Sequence, residues 1–578
     1  MAGVRFGPGF GRQLSQLLRG GVGVHHAGML PKYRRVVETL AQAGLLPVIC
    51  GTDTLGVGIN VPIRTVLFTG LAKYDGSRQR VLRTREFQQI AGRAGRAGFD
   101  TAGHVVVQAP EHVIENEQAK AKAAQRVAEG RKKSKAQLKK APEGAVVWTE
   151  QTFDKLVKGD PEPLKSRMKV DNAMIINVAS REEDTFAVMR RLTMDNNEDR
   201  RSQLKLARRA IRLTRSLLAS GVLRRLDEPD ELGRRYVLDV ALPDDFALNQ
   251  PLSHFALAAL DVLDTEAATF ALDVVSVVES VLEAPRQVLF AQQREARGEE
   301  IGRLKAEGVE YDERMAIVEE ITWPKPLADL LEALFETYRG THPWLPLDAL
   351  DPKSVVRQMW EEAMGFTAFV SRFGLARSEG LVLRYLSDAY KALRQTVPEA
   401  LRTDELDEII EWLGETVRQT DSSLIDEWEA LSDPEHASHA VTHHEAPPPP
   451  RPLSAQPRVF GVMVRNAMWA RVDAVARDDL DGLVRLDGPD APWTRRDWDE
   501  AIEAYYAEHD RVLLDADARG PSFLQIGPED PAARTRTVRQ TLHDPEGHHD
   551  WVIDAVVDCA ASDEEGSAVV VTDRFHRL

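Results

Sequence analysis

Between Val22 and Gln108, strand-length apolar runs alternate with helix-length amphipathic segments, and that alternation restricts the amino-terminal region to a layered α/β arrangement. Residues 11–19 read as a short helix and 22–26 as a strand. Pro31 suits the first turn of a helix that runs to about Ala43 and stops at Gly44. Residues 45–50 form an apolar run fit for a buried parallel strand, and 66–70 form another. A helix over 83–97 and a strand over 104–108 complete the pattern. The stretch is shorter than most complete α/β domains, so part of a doubly wound layer is expected.

Charge divides the chain. The 578 residues carry 74 Lys+Arg against 91 Asp+Glu, a net of −17. Residues 1–140 hold 23 basic and 9 acidic side chains, a net of +14, whereas 459–578 hold 13 and 25, a net of −12. The middle therefore carries −17 − 14 + 12 = −19. The global value argues against nucleic-acid binding. The local +14 argues for it, because phosphate contacts depend on local charge. A composition 43% hydrophobic and 29% charged fits soluble globular protein. The absence of eighteen consecutive apolar residues excludes a spanning helix, so no membrane association is expected. No secretory signal is expected from the first residues. Two cysteines, Cys50 and Cys559, make neither a disulfide framework nor a zinc site, and a cytoplasmic location is expected.

Further along, residues 117–140 read as an exposed basic helix or connector, ending in the run Gly-Arg-Lys-Lys-Ser-Lys-Ala-Gln-Leu-Lys-Lys. From 153 to 431 the pattern is mostly helical, interrupted at 224–242 by two short extended runs around a Pro/Asp/Gly turn, the signature of a β-wing after a helix. Residues 434–458 contain seven prolines and four histidines (His436, His439, His443, His444), a stiff solvated linker rather than a metal site. The last 120 residues read as a separate α+β unit, with helices over 465–486 and 494–510. Strands follow over 523–526, 535–543, 551–559 and 568–575, with a hairpin turn at 544–547. Trp469, Trp493 and Trp498 are assigned to its core. Helices first and an antiparallel sheet after them resemble the cone-shaped fold of nuclear transport factor two.

The strongest chemical signal is Arg-Glu-Phe-Gln-Gln-Ile-Ala-Gly-Arg-Ala-Gly-Arg-Ala-Gly-Phe-Asp at 85–100. Gln89, Gly92, Arg93, Gly95 and Arg96 form Gln-x-x-Gly-Arg-x-Gly-Arg. Two arginines three apart share a helix face, and a guanidinium fork suits charge spread over γ-phosphate oxygens. The plain reading is a basic surface helix. Upstream, Gly-Thr-Asp-Thr-Leu-Gly-Val-Gly-Ile-Asn-Val-Pro at 51–62 follows a strand directly, where α/β sheets bind ligands. There Thr52 and Thr54 offer hydroxyls and amides to a phosphate, and Gly58 and Asn60 lie on the nucleotide side. Alone, such a loop is often only a tight turn. His25 and His26, adjacent on a strand, point to opposite faces and make a poor metal pair. No metal ligand set is assigned.

These segments together resemble the second RecA-like lobe of superfamily-two DExH-type helicases, in the superkiller and exosome-associated branch and its bacterial relatives. His-His-Ala-Gly-Met-Leu-Pro at 25–31, the 51–62 loop and the 88–100 motif match that branch in order and spacing. Residues 161–178 resemble the segment leading into its winged helix, and 377–396 its carboxyl-terminal helical domain, so the resemblance covers roughly 1–430. It implies that Gln89, Arg93 and Arg96 act at the ATP γ-phosphate, that Thr52 and Thr54 contact nucleic-acid backbone, and that Asn60 lies at the nucleotide edge. The expected architecture is multidomain: a partial α/β RecA-like lobe over 1–115, a basic connector over 116–150 and a winged-helix region over 151–245. A helical bundle over 246–433, the linker over 434–458 and a cone-like α+β domain over 459–578 complete it.

One departure is large. The 578 residues contain no Gly-x-x-x-x-Gly-Lys-Ser/Thr and no acidic DExH or DEAD box in a suitable context. The implied cofactors, ATP and Mg²⁺, would be held by a first lobe. The expectation is therefore the carboxyl-terminal portion of an ATP-dependent RNA or DNA helicase, inactive alone, with a separately encoded first lobe among its partners. The rival reading is a non-catalytic protein that binds nucleic acid or a partner.

A nucleic-acid path has its own signal. Arg201, Lys205, Arg208, Arg212 and Arg215 step by four, three, four and three, which places them within an arc of about 80° at 100° per residue. Leu206, Ala210, Leu213 and Leu217 lie opposite. The plain reading is a solvated face; five bases without an acid favour phosphate or interdomain contact.

Overall fold

A computed structural model describes residues 6–7, 10–52, 63–74, 78–95, 100–128, 138–141, 146–163, 168–179, 181–219, 223–238, 252–341, 345, 349–425, 452–489, 491–515 and 518–578. The chain forms two compact units that divide between Arg167 and Met168. Each is described by itself.

The first unit begins α1 (Phe10–Arg19), β1 (Val22–His25), α2 (Pro31–Gln42), β2 (Val48–Gly51). β1 and β2 pair in parallel, Val22 opposite Val48 and His25 opposite Gly51, with α2 as the crossover. β3 (Thr65–Phe68), the hairpin β4 (Ala72–Tyr74) and β5 (Gln79–Val81), α3 (Thr84–Ala91) and β6 (His104–Val107) follow. β3 and β6 are also parallel, Thr65 opposite His104. Expected strands and helices thus occur in order. Their burial differs from expectation. Phe68 packs inward with Val66, Val105 and Val107 beside it, but Leu67 is 61% and Val106 49% exposed. Val48, expected in a buried strand, is 52% exposed. In the β3–β6 pair the face opposite Phe68 is exposed.

α4 (Glu111–Ala128) is a regular helix, and the end of the basic run returns to it: Lys139 donates its amide to Asn116 Oδ1 at 2.7 Å and pairs with Glu115 at 2.8 Å. α5 (Glu150–Lys158) packs on α3, so residues 150–163 belong with the first unit rather than with the segment after them.

The second unit opens with α6 (Asn172–Ala179), α7 (Thr185–Met194), α8 (Arg200–Ala219) and an antiparallel pair, β7 (Leu223–Arg225) with β8 (Tyr236–Leu238). These share one core: Val170, Ile175, Val178, Val188, Met189, Leu213, Leu217 and Leu223. Asp184 and Asp199 accept from the amides of Ala187 and Ser202, both at 2.8 Å, and so start α7 and α8. Asp230 and Gly233, at φ +78°, make the turn between the short strands.

A helical region follows: α9 (Ser253–Leu260), α10 (Phe270–Val281), α11 (Arg286–Ala306), α12 (Tyr311–Glu320), α13 (Ala328–Thr341), α14 (Val356–Glu361), α15 (Phe366–Arg372), α16 (Glu379–Thr396) and α17 (Asp404–Asp421). Its apolar core holds a buried carboxylate. Glu279, buried on α10, accepts from the amides of Val355 and Val356 at 2.9 and 3.0 Å and from the Tyr385 hydroxyl at 2.8 Å. Those amides open α14, so one carboxylate ties three helices together.

The Pro/His-rich linker falls outside the described residues as far as Arg451. Beyond it, α18 (Pro457–Ala476), α19 (Leu480–Asp487) and α20 (Arg495–Tyr506) precede β9 (Leu524–Asp530), β10 (Thr535–Thr541), β11 (Trp551–Asp558), α21 (Cys559–Glu565) and β12 (Val569–Arg577). The sheet is an antiparallel meander of order β12-β11-β10-β9. The single helix expected over 465–486 is two. Asp478 takes φ +55° after α18, and Asp479 caps α19 by accepting from Gly482 at 2.8 Å. A buried pair joins helices to sheet: Arg471 reaches Asp487 at 2.7 Å, and Asp487 also accepts from Trp498 Nε1 at 3.1 Å and Thr572 at 2.8 Å. Trp469 and Trp498 are buried as expected, while Trp493 is half-buried. This α+β part packs on α17 within the same compact unit. Among the described residues, no helix is long and apolar enough to cross a membrane.

Candidate functional site

α3 carries Gln89 but ends at Ala91, short of the helix expected over 83–97, so Gly92 and Arg93 of the motif follow it in a turn, and the sequence around it fixes the helix from both ends. Arg83 is still extended, and Glu86 accepts from its amide at 2.8 Å, the reach-back of a capping box. The two Arg80 nitrogens meet the two Glu86 oxygens at 2.8 Å each, and Lys73 meets Glu86 at 2.9 Å. The Arg80 guanidinium, foremost, holds the Glu86 carboxyl down to about 2. A second carboxylate comes from far along the chain. Glu162 accepts from the amides of Thr84 and Arg85 at 3.0 Å each, and Arg85 Nε donates to the Glu162 carbonyl at 2.7 Å. Gln88 donates to the Gly159 carbonyl at 3.0 Å. Two acids at the N-terminus of α3 also complement its dipole.

The inner face of α3 is aromatic. Phe87 stacks on Phe68 with centroids 5.0 Å apart and meets Phe153 of α5 edge-on at 5.9 Å. At the C-terminus, Gly92 donates to Gln88, Arg93 to Ile90 and Gly95 to the Ile63 carbonyl at 2.9 Å. Gly95 sits at φ +96° against Gly103, where a Cβ would come within 2.3 Å of the Ala94 carbonyl oxygen. The glycines here serve a close approach of the chain to itself.

Gln89 is exposed on this clamped helix and Arg93 is half-buried at its end. The clamps fix the backbone on which both side chains stand. Thr52 is exposed just past β2, its amide donating to His25 at 3.3 Å. Thr54, Gly58, Asn60 and Arg96 lie outside the described residues. His25 is buried with Nε2 2.9 Å from Glu38 on α2, while His26 lies against Phe10, centroids 5.7 Å apart. The two imidazoles have separate surroundings, as opposite faces of a strand require.

On α8 the basic positions stand as the periodicity predicts. Arg201, Lys205, Arg208, Arg212 and Arg215 are all exposed, opposite the buried Ala210, Leu213 and Leu217. Among the described residues, Lys205, Arg208, Arg212 and Arg215 make no ion pair with a carboxylate. Arg209, outside the stripe, instead donates to the Val170 carbonyl at 2.6 Å and anchors the helix. Sequence reasoning missed the Glu162 clamp. Its only local signal is an acid between prolines, Pro161-Glu162-Pro163, which favours an extended, rigid backbone.

Two family models cover the chain: helicase conserved C-terminal domain over residues 12–98, and Domain of unknown function (DUF3516) over residues 109–575. Superkiller complex protein 2 of Mus musculus is 48% identical over 94 residues, 16% of this chain and 8% of that protein. ATP-dependent RNA helicase mtr4 of Schizosaccharomyces pombe is 46% identical over 91 residues, again 16% and 8%. Probable helicase HelY of Mycobacterium tuberculosis is 50% identical over 91 residues, 16% and 10%. The chain thus aligns with a tenth or less of the length of these curated relatives.

Proposed function

The chain belongs to the family described as Domain of unknown function (DUF3516), its 12–98 segment is the conserved C-terminal domain of a superkiller-type superfamily-two helicase, and from that premise we propose how it works. It is the carboxyl-terminal portion of an RNA helicase. In our reading, α3 completes an ATP site: Gln89, Arg93 and Arg96 meet the γ-phosphate, and Gly58 and Asn60 border the nucleotide. The observation that carries this reading is the double clamp on α3, Glu86 and Glu162 at one end and Gly95 on Ile63 at the other.

The residues fit the phosphate end of ATP and not its metal. Arginine and glutamine donate to anionic oxygens. No phosphate loop occurs in the 578 residues, so the P-loop and the Mg²⁺ ligands come from a lobe outside them. When bound, ATP supplies the phosphoryl transfer that drives strand movement. Arg93 and Arg96 donate to charge that grows on the transferred group, and Gln89 orients water. Thr52 and Thr54 hold RNA backbone. Residues 168–238, three helices and a short antiparallel pair on one core, form a winged helix whose α8 stripe faces phosphates, and the α+β part adopts a cone-like fold.

The test joins the chain to a helicase first lobe and measures RNA-stimulated ATP turnover. Arg93→Ala and Arg96→Ala should each lower turnover about 10³-fold, with a much smaller effect on ATP affinity. Near-normal turnover in both would leave α3 a scaffold and favour the non-catalytic binding protein.

A further inference from the structure

The acidic α+β part contains a constellation that helicase chemistry does not use. His509 follows α20, and Asp544 and His548 lie in the loop between β10 and β11. Each offers one ligand atom within 4.8 Å of the others. The loop is built around Asp544. Its two oxygens accept from the amides of His548 and His549 at 2.9 and 2.6 Å, and Gly547 donates to its carbonyl at 3.2 Å. Gly547 at φ +72° and His549 at φ +53° turn the backbone around the carboxylate. Leu513 donates to the His543 carbonyl at 2.9 Å and ties the segment after α20 to the end of β10.

The state of His509 points to a ligand. The residue is 3% exposed. Its Nδ1 lies 2.6 Å from Glu546 Oε2, yet its Nε2 is buried with no hydrogen-bond partner among the described residues. An unsatisfied buried ring nitrogen is costly. A carboxylate on one imidazole nitrogen fixes the tautomer with the lone pair on the other, which is how proteins aim a histidine at a metal. Asp544 keeps oxygen lone pairs beyond its two amide bonds. His548 is exposed, with its ring centroid 5.8 Å from that of His509.

We propose that His509 Nε2, Asp544 and His548 form a binding site for a divalent transition-metal ion of the zinc class, with Glu546 orienting His509. Two imidazoles and one carboxylate suit zinc, and three protein donors leave an open position for water or a further ligand. The ion fastens the 542–550 loop to the end of α20. This site lies in a different part of the chain from α3 and does not depend on the ATP-site reading.

The full 578-residue chain, stripped with a chelator, is titrated with Zn²⁺ and with Co²⁺ as a coloured probe. Zn²⁺ should slow amide exchange in residues 542–550, and Co²⁺ should give the intense visible bands of a four-coordinate ion. His548→Ala changes an exposed side chain and should abolish both effects with the fold intact by circular dichroism. Glu546→Gln should weaken Zn²⁺ binding 10- to 100-fold, the usual loss for such an orienting partner. Absence of protection at 542–550 in the wild-type chain would overturn the proposal. So would Zn²⁺ uptake unchanged by His548→Ala, which would assign the ion to other donors such as His436, His439, His443 and His444.

Discussion

Arg85 and Glu162, 77 positions apart, hold each other reciprocally: the Arg85 amide donates to the Glu162 carboxylate at 3.0 Å, and Arg85 Nε donates to the Glu162 carbonyl at 2.7 Å. The contact makes the start of α3 depend on the segment after α5. The hydrogen bond that the Arg85 amide donates, first among its causes, holds the Glu162 carboxyl below its ordinary value. Its capping is therefore complete above the unfolded pKa and lost as pH falls through the folded one. Glu162→Ala should raise amide exchange across residues 84–91 about five-fold near neutral pH, the factor that loss of one helix cap brings. Glu162→Gln, which keeps one acceptor, should fall between. Unchanged exchange in Glu162→Ala would mean Glu86 caps the helix alone.

Glu86 gives a sharper pH statement. Its carboxyl is lowered from 4.5 to about 2, with Arg80 the largest cause, the Arg83 amide next among those that lower it, and Lys73 after that. A depressed acid stabilises the fold fully above about 4.5 and loses that contribution as pH falls toward 2. Carboxyl carbon titration by NMR should find the Glu86 midpoint well below the other glutamates. Arg80→Ala should move it up further than Lys73→Ala. Equal shifts would show that the bidentate geometry carries no advantage over a point charge.

What the sequence made legible was local. Gln89 stands on a helix as its surroundings announce, although the helix expected over 83–97 ends at Ala91, before Arg93, and the α8 stripe follows from steps of four and three. Glu162 escaped because its partners are 77 and 78 positions away, and nothing in a linear pattern records such a pairing. His509 escaped for the same reason: its partner Glu546 stands 37 positions away, on another element. The break between α18 and α19 was legible in principle, since Asp478 and Asp479 are turn and cap residues, but the apolar period continues across them and hides it. Leu67 and Val106 show a further limit. An apolar strand signals that a face can be buried, not that the described residues cover it.

The exposed bases of α8 predict a salt dependence. Arg208→Gln, Arg212→Gln and Arg215→Gln together remove up to three phosphate contacts. At about 0.9 per contact on duplex and about 0.7 on single strands, the logarithmic salt slope of binding should flatten by roughly two to three. Because phosphates carry no base identity, the loss should be uniform across sequences. An unchanged slope in a folded triple variant would assign the stripe to solvent or to a protein contact.

Arg519 tests whether the carboxyl-terminal part stands alone, as its composition and the Pro-rich linker suggest. Its guanidinium lies 4.4 Å from the Trp360 ring centroid and 5.8 Å from that of Trp469. It donates to the Trp360 carbonyl at 2.9 Å and to Asn466 Oδ1 at 2.6 Å. Trp360 belongs to α14, whereas Trp469 and Asn466 belong to α18, so one cation bridges the helical region and the α+β part. Burial, the largest cause, pulls its pKa down to about 10, which leaves it charged at neutral pH. Arg465 with Glu408 at 2.5 Å and Arg458 with Glu411 at 3.2 Å flank the same junction but are more exposed and contribute less. Arg519→Ala removes a partly dehydrated cation–π contact and two charged hydrogen bonds, a loss of about 3 kcal/mol concentrated at the junction. Urea unfolding of the full chain, followed by exchange mass spectrometry, should then show residues 457–578 and 356–421 opening at separate urea concentrations, where the wild-type chain opens them together. Arg519→Lys should rescue only in part, because an ammonium cannot lie flat on the Trp360 ring while donating in two directions. Separate opening already in the wild-type chain would show that the α+β part is energetically independent and that Arg519 merely rests between two stable bodies.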